Sequence, residues 1–105
     1  MQKSPDNPML LFAQEAPEVA NAFDALIQSI VASKGLDTKT KQLLYIALKA
    51  AEGDQVAVGW HSAMAKAAGA KKAEVVDAIL LTLTVRGIRG VASCLPTALK
   101  AFETE

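Results

Sequence analysis

The chain has 105 residues, 51% of them apolar, with 11 Lys and Arg balancing 11 Asp and Glu, one His and one Cys. That length suits a single domain, residues 1–105, and excludes a second module of ordinary size. Zero formal charge and a pI near 6.6 exclude the clustered basic surface that nucleic acid or an anionic bilayer requires, so neither is expected as a partner.

A lone Cys cannot close an intramolecular disulfide, and the opening MQKSPDNPMLLF holds too short an apolar run for a secretory signal. Both point to the cytoplasm. The chain carries 20 Ala, so its side chains are small and a core of this size leaves a thin margin of stability. Further burial is therefore expected from other copies of the chain, in a homo-oligomer.

No stretch alternates in the manner of a strand, whereas several repeat apolar residues at the spacing of one helical face, which predicts an all-α fold of about five to six helices. Residues 1–7 read as a frayed lead-in, with Asn7 and Pro8 capping a short turn that carries Leu10, Leu11 and Phe12. A helix starting near Pro17 presents Val19, Phe23, Leu26, Ile27 and Ile30 and runs to Ser33. Gly35 is its expected left-handed stop.

Asp37 or Thr38 caps the third segment, with Leu43, Ile46, Ala47 and Ala50 facing inward, Lys39, Lys41 and Lys49 expected in water, and Gly53 ending it. Asp54 opens a helix through Val58, His61, Met64, Ala65 and Ala68, closed by Gly69. Residues 73–86 read as one helix, apolar almost all round between Ala78 and Val85, and so central or interfacial. Gly87 and Gly90 are expected to loosen the backbone, and Pro96 fits the first turn of a last helix bearing Leu99 and Phe102.

His61 is the only side chain whose unperturbed titration falls near neutral pH, so acid/base chemistry must begin there. On its helix Asp54 lies seven residues earlier, with Ala57 and Val58 between them on that face, and the preceding helix offers Gln42 and Tyr45. Each has a structural alternative, and a lone His among Ala and Met is more often a satisfied core or interface residue. Asp54 is a natural helix cap, Gln42 a solvated side chain, and Tyr45 and Trp60 packing groups with a polar tip. Cys94 reads as a small buried apolar group, and one His and one Cys in separate segments do not make a zinc site, so neither metal nor cofactor is expected.

The stretch LDTKTKQLLYIALKAAEGDQVAVGWHSAMAKAAGAKKAEVVDAI resembles the carboxymuconolactone decarboxylase and alkyl hydroperoxidase D family. The likeness covers about residues 36–86, with a looser echo in SCLPTALKAF. It is carried by Leu43-Leu44, Gly53 before a new helix, His61, Ala65, Gly69 and Glu74 in that order. The resemblance implies a compact helical bundle of the alkyl hydroperoxidase D-like type that assembles into trimers or hexamers.

In the peroxidase branch the motif is a Glu, a Cys-x-x-Cys twelve residues later, and a His four after the second Cys. Those positions fall here on Gln42, Asp54, Ala57 and His61. Both redox thiols are absent, and thiol–disulfide exchange needs two sulfurs, so no thiol peroxidase activity is expected. The decarboxylase branch instead implies a pocket around the same His for a small lactone acid.

Two readings stay open. One is a carboxy-lyase acting on a small organic acid, with His61 as general acid/base, Gln42 and Tyr45 orienting it, Asp54 placing a proton or cation, and Trp60 lining the substrate pocket. The other is a non-catalytic oligomeric member that binds a ligand or serves as a structural assembly. Arg86 and Arg89 read equally as ligand contacts in a neighbour's pocket or as surface charges.

Overall fold

A computed structural model describes residues 7–103, and its secondary structure is helical throughout. Apart from Asn7, the expected frayed lead-in lies outside the described residues. The contacts divide the chain into two units, one up to Gly35 and one from Leu36.

The first unit is a pair of helices, α1 (Pro8–Glu15) and α2 (Pro17–Ala32). The Asn7 side chain accepts from the Met9 N–H at 2.8 Å, and Pro8 and Pro17 occupy first-turn positions where no N–H is needed. Phe12 meets Phe23 edge-on with ring centroids 5.9 Å apart. Neither helix buries a residue. The expected stop at Gly35 is not the one used. The glycines with positive φ are Gly53, Gly69 and Gly87, and α2 ends instead where Ser33 turns extended and donates its hydroxyl to the Ile30 carbonyl at 2.8 Å. That bond supplies a partner which a left-handed glycine would otherwise provide.

The second unit holds α3 (Thr38–Glu52), α4 (Gln55–Ala67), α5 (Lys72–Leu80), the four-residue α6 (Leu83–Arg86) and α7 (Arg89–Lys100). Helices α3, α4, α5 and α7 pack on one another around Ile46, Val58, Val75, Ile79, Cys94 and Ala98. Leu43, Leu95 and Phe102 close the margins of this core.

Three expectations for this unit change. Residues 73–86 do not form one helix. The Thr82 and Thr84 hydroxyls donate to the Ile79 and Leu81 carbonyls at 2.6 and 2.8 Å, and Thr82, Thr84 and Val85 take tight i to i−3 backbone bonds. Such side-chain competition for carbonyls breaks the regular ladder, leaving α5 and α6 separated by a turn.

Pro96 lies inside α7 rather than in its first turn. The missing N–H leaves the Ala92 carbonyl without its helical donor, at a place where Ala92 and Pro96 are both exposed. Gly90, expected to loosen the chain, does the opposite and permits close packing. A Cβ there would stand 2.5 Å from the Ala50 carbonyl oxygen and 3.1 Å from Thr82 Oγ1, so only glycine lets α7 approach the end of α3.

Candidate functional site

The turn between α3 and α4 arranges the site. Gly53 adopts φ of 78°, and the Gly53 and Asp54 N–H groups donate back to the Ala50 and Lys49 carbonyls at 2.9 and 3.0 Å. This closes α3 with a left-handed glycine motif and reverses the chain. Asp54 then starts α4 by accepting from the Ala57 N–H at 3.0 Å, favourable at the positive end of the helix dipole. The two helices therefore run back along each other and bring Gln42 and Tyr45 opposite His61.

The geometry is specific at three points. Gln42 Oε1 lies 2.8 Å from His61 Nδ1. A carbonyl oxygen can only accept, so Nδ1 carries the proton and, in the neutral ring, Nε2 bears the lone pair. The Tyr45 and His61 rings sit 4.2 Å apart between centroids at a 46° tilt. Lys49 Nζ stands 5.7 Å from the Tyr45 ring centroid on the same helix.

Lys49 also pairs with Glu52 Oε1 at 3.3 Å and Asp54 Oδ2 at 3.7 Å. Its bond to Glu52 raises the ammonium above its ordinary titration range. Burial pushes the His61 imidazole below its ordinary value of 6.5, and the charge of Lys49 acts in the same direction. His61 is half-buried. A ring so placed is neutral at pH 7 and available as a base.

The structure thus brings His61, Gln42 and Tyr45 into contact and ties Asp54 to Lys49 and the helix end. Trp60 and Met64 are 45% and 48% exposed. Val58, predicted to share a face with His61, is instead fully buried in the core. Lys39, Lys41 and Lys49 are half-buried rather than fully in water, and Lys39 pairs with Glu74 at 3.1 Å. Glu74 also accepts from the Lys71 N–H at 2.9 Å. Those two bonds, the backbone one first, hold its carboxyl below the usual range. Lys49 is the site residue that the sequence reading assigned to solvent. Its spacing of four and seven residues from Tyr45 and Gln42 was the available signal.

Two hollows lie elsewhere. One of about 530 Å³ is lined by Leu43, Leu44 and Ala47 of α3 together with Asp77, Ala78 and Leu81. The other, about 450 Å³, lies within the first unit beside Phe12 and Phe23. Among the described residues no three His, Cys, Asp or Glu side chains converge as metal ligands, and no helix is long and apolar enough to cross a membrane.

No curated protein compared with this chain matches it. A crystal structure of a candidate carboxymuconolactone decarboxylase from Burkholderia xenovorans LB400 superposes with a TM-score of 0.84 at 24% identity. The match covers 93% of this chain and 76% of that one, and at that identity it speaks for the fold. The sequence model of the carboxymuconolactone decarboxylase family matches residues 17–103. With that match across most of its length and the all-helical fold, the chain belongs to the carboxymuconolactone decarboxylase family.

Proposed function

We propose that this protein is a carboxy-lyase for a small organic acid, with His61 as its general acid/base. The observation that supports this reading best is the 2.8 Å contact from Gln42 Oε1 to His61 Nδ1, which fixes one tautomer and leaves Nε2 to exchange a proton with substrate. In such a reaction the bond to the departing carboxylate breaks and its electron pair passes to a conjugated carbonyl. CO2 leaves, and the imidazolium, formed when Nε2 takes the proton of the substrate carboxyl, returns that proton to carbon. Tyr45 orients the ring from its face, Trp60 offers a wall to the substrate, and Asp54 acts through Lys49, the cation it holds.

The absence of the paired thiols argues against thiol peroxidase chemistry in this chain. A cytoplasmic homo-oligomer, trimeric or hexameric as the family resemblance implies, fits the lone buried Cys94 and the exposed apolar residues on α2 and around α6.

The test is CO2 release from small lactone acids, beginning with carboxymuconolactone, by the protein and by His61→Gln. Turnover that disappears in the variant while its helicity and assembled mass persist supports the reading. Equal turnover by both proteins overturns it.

A second reading, a non-catalytic ligand-binding or structural member, is favoured by one observation. Neither hollow described above is lined by His61, Gln42, Tyr45, Asp54 or Trp60. On that reading His61→Gln changes stability or assembly, and no lactone acid is turned over.

A further inference from the structure

Two surfaces of this molecule are at once apolar and charged, with opposite signs. On α2, Val19, Phe23 and Ile27 recur at four-residue spacing and are 61%, 41% and 37% exposed. At 100° per residue, Glu18 and Asp24 fall on opposite sides of that stripe. Residues 8–32 contain Glu15, Glu18 and Asp24 and no Lys or Arg. The first unit is thus an acidic helical pair whose apolar stripe stays partly exposed, although Phe23 also meets Phe12 of α1.

The second surface is the corner around α6 and the start of α7. Leu81, Val85 and Ile88 are 64%, 74% and 67% exposed. Between and beside them stand Arg86 and Arg89, both exposed and the only two arginines of the chain. Among the described residues no ion pair involves either of them, or Glu15, Glu18 or Asp24. Residues 36–103 carry nine Lys and Arg against six Asp and Glu, so the whole second unit has the sign that complements α1 and α2.

We infer that the α1–α2 pair of one copy docks on the α6–α7 corner of a second copy, its apolar stripe covering Leu81, Val85 and Ile88 while Glu18 and Asp24 meet Arg86 and Arg89. The inference rests on the proposed homo-oligomer and specifies its contact. Uncovered apolar patches of this kind mark association surfaces, and opposite charges fix partner and register more than they add affinity. Guanidinium groups suit this task because their planar fork matches a carboxylate in two bonds. Two arginines are too few for a nucleic-acid backbone, and the acidic partner surface would repel one. Since the two surfaces differ, the contact is heterologous. Repeated by a closing rotation it makes a ring, as the proposed trimer or hexamer requires.

The experiment compares the full chain, Arg86→Glu with Arg89→Glu, and Glu18→Lys with Asp24→Lys by sedimentation equilibrium, with circular dichroism to verify helicity. The unaltered protein is expected to self-associate. Each charge-reversed pair is expected to weaken association by about tenfold or more, and an equimolar mixture of the two variants is expected to recover it. Association that neither pair alters overturns the inference while leaving the oligomer intact. A native protein that stays monomeric at its highest soluble concentration overturns the homo-oligomer reading itself, and this inference with it.

Discussion

Gln42 and His61, nineteen residues apart in the chain, meet through a single 2.8 Å bond between Oε1 and Nδ1. The bond exists because Gly53 turns α3 back on α4, and it makes a neutral amide the partner of the imidazole. A neutral partner orients the ring without adding the opposite charge that would favour its protonated form. Burial and Lys49 are then unopposed in lowering its titration.

Gln42→Glu should reverse this balance. A carboxylate in place of the amide favours the imidazolium, so the His61 titration followed by NMR is expected to move to higher pH, and an unchanged midpoint would disprove the contact. In the native protein the folded state releases its His61 proton more readily than the unfolded chain. Stability is therefore expected to rise with pH across the window from the lowered folded value up to the ordinary 6.5 and to be lost on acidification through it. His61→Gln should flatten that part of a urea-denaturation profile.

Gly90→Ala tests the approach of α7 to α3. The added methyl carbon meets the Ala50 carbonyl oxygen at 2.5 Å and has backbone, not a flexible side chain, in its way. A loss of about 1–3 kcal/mol is expected in chemical denaturation, as for overpacked cores. A variant as stable as the parent would show that the two helices separate more easily than described.

Ser62→Ala should be neutral or stabilising. Ser62 is fully buried on α4, and its hydroxyl oxygen has no hydrogen-bond partner among the described residues. An orphaned buried hydroxyl costs about 1–3 kcal/mol, and Ala is the better helix former. A clear loss of stability, measured as a lower urea midpoint at unchanged slope, would reveal a partner for the hydroxyl.

Cys94 should resist alkylation in the folded protein. It is fully buried, with the Ser93 hydroxyl 3.5 Å from its sulfur. Thiol reagents need access to a thiolate, so labelling at neutral pH is expected to follow the unfolding equilibrium and to become fast in denaturant. Rapid labelling of the native state would instead identify a reactive thiol.

Helix starts and stops were largely legible because they depend on neighbours in the chain. Asn7, Asp37 and Asp54 each cap the helix that follows them, and Gly53 and Gly69 take the left-handed conformation at the ends of α3 and α4. Two misread boundaries, the end of α2 and the break between α5 and α6, share a cause. At Ser33, Thr82 and Thr84 a short hydroxyl side chain captures a carbonyl three residues back. Periodicity of apolar residues does not register that competition.

The sequence by itself determined the helical class, the loss of the redox thiols and the solitary imidazole, since these are matters of residue identity and of period along one chain. Only the tertiary structure decided which groups reach that imidazole. Whether Lys49 faces water or Tyr45, and whether Gly90 loosens a turn or admits a neighbouring helix, depends on distances between helices set by the packing of side chains far apart in sequence. A one-dimensional pattern carries the direction of each face but not what stands opposite it.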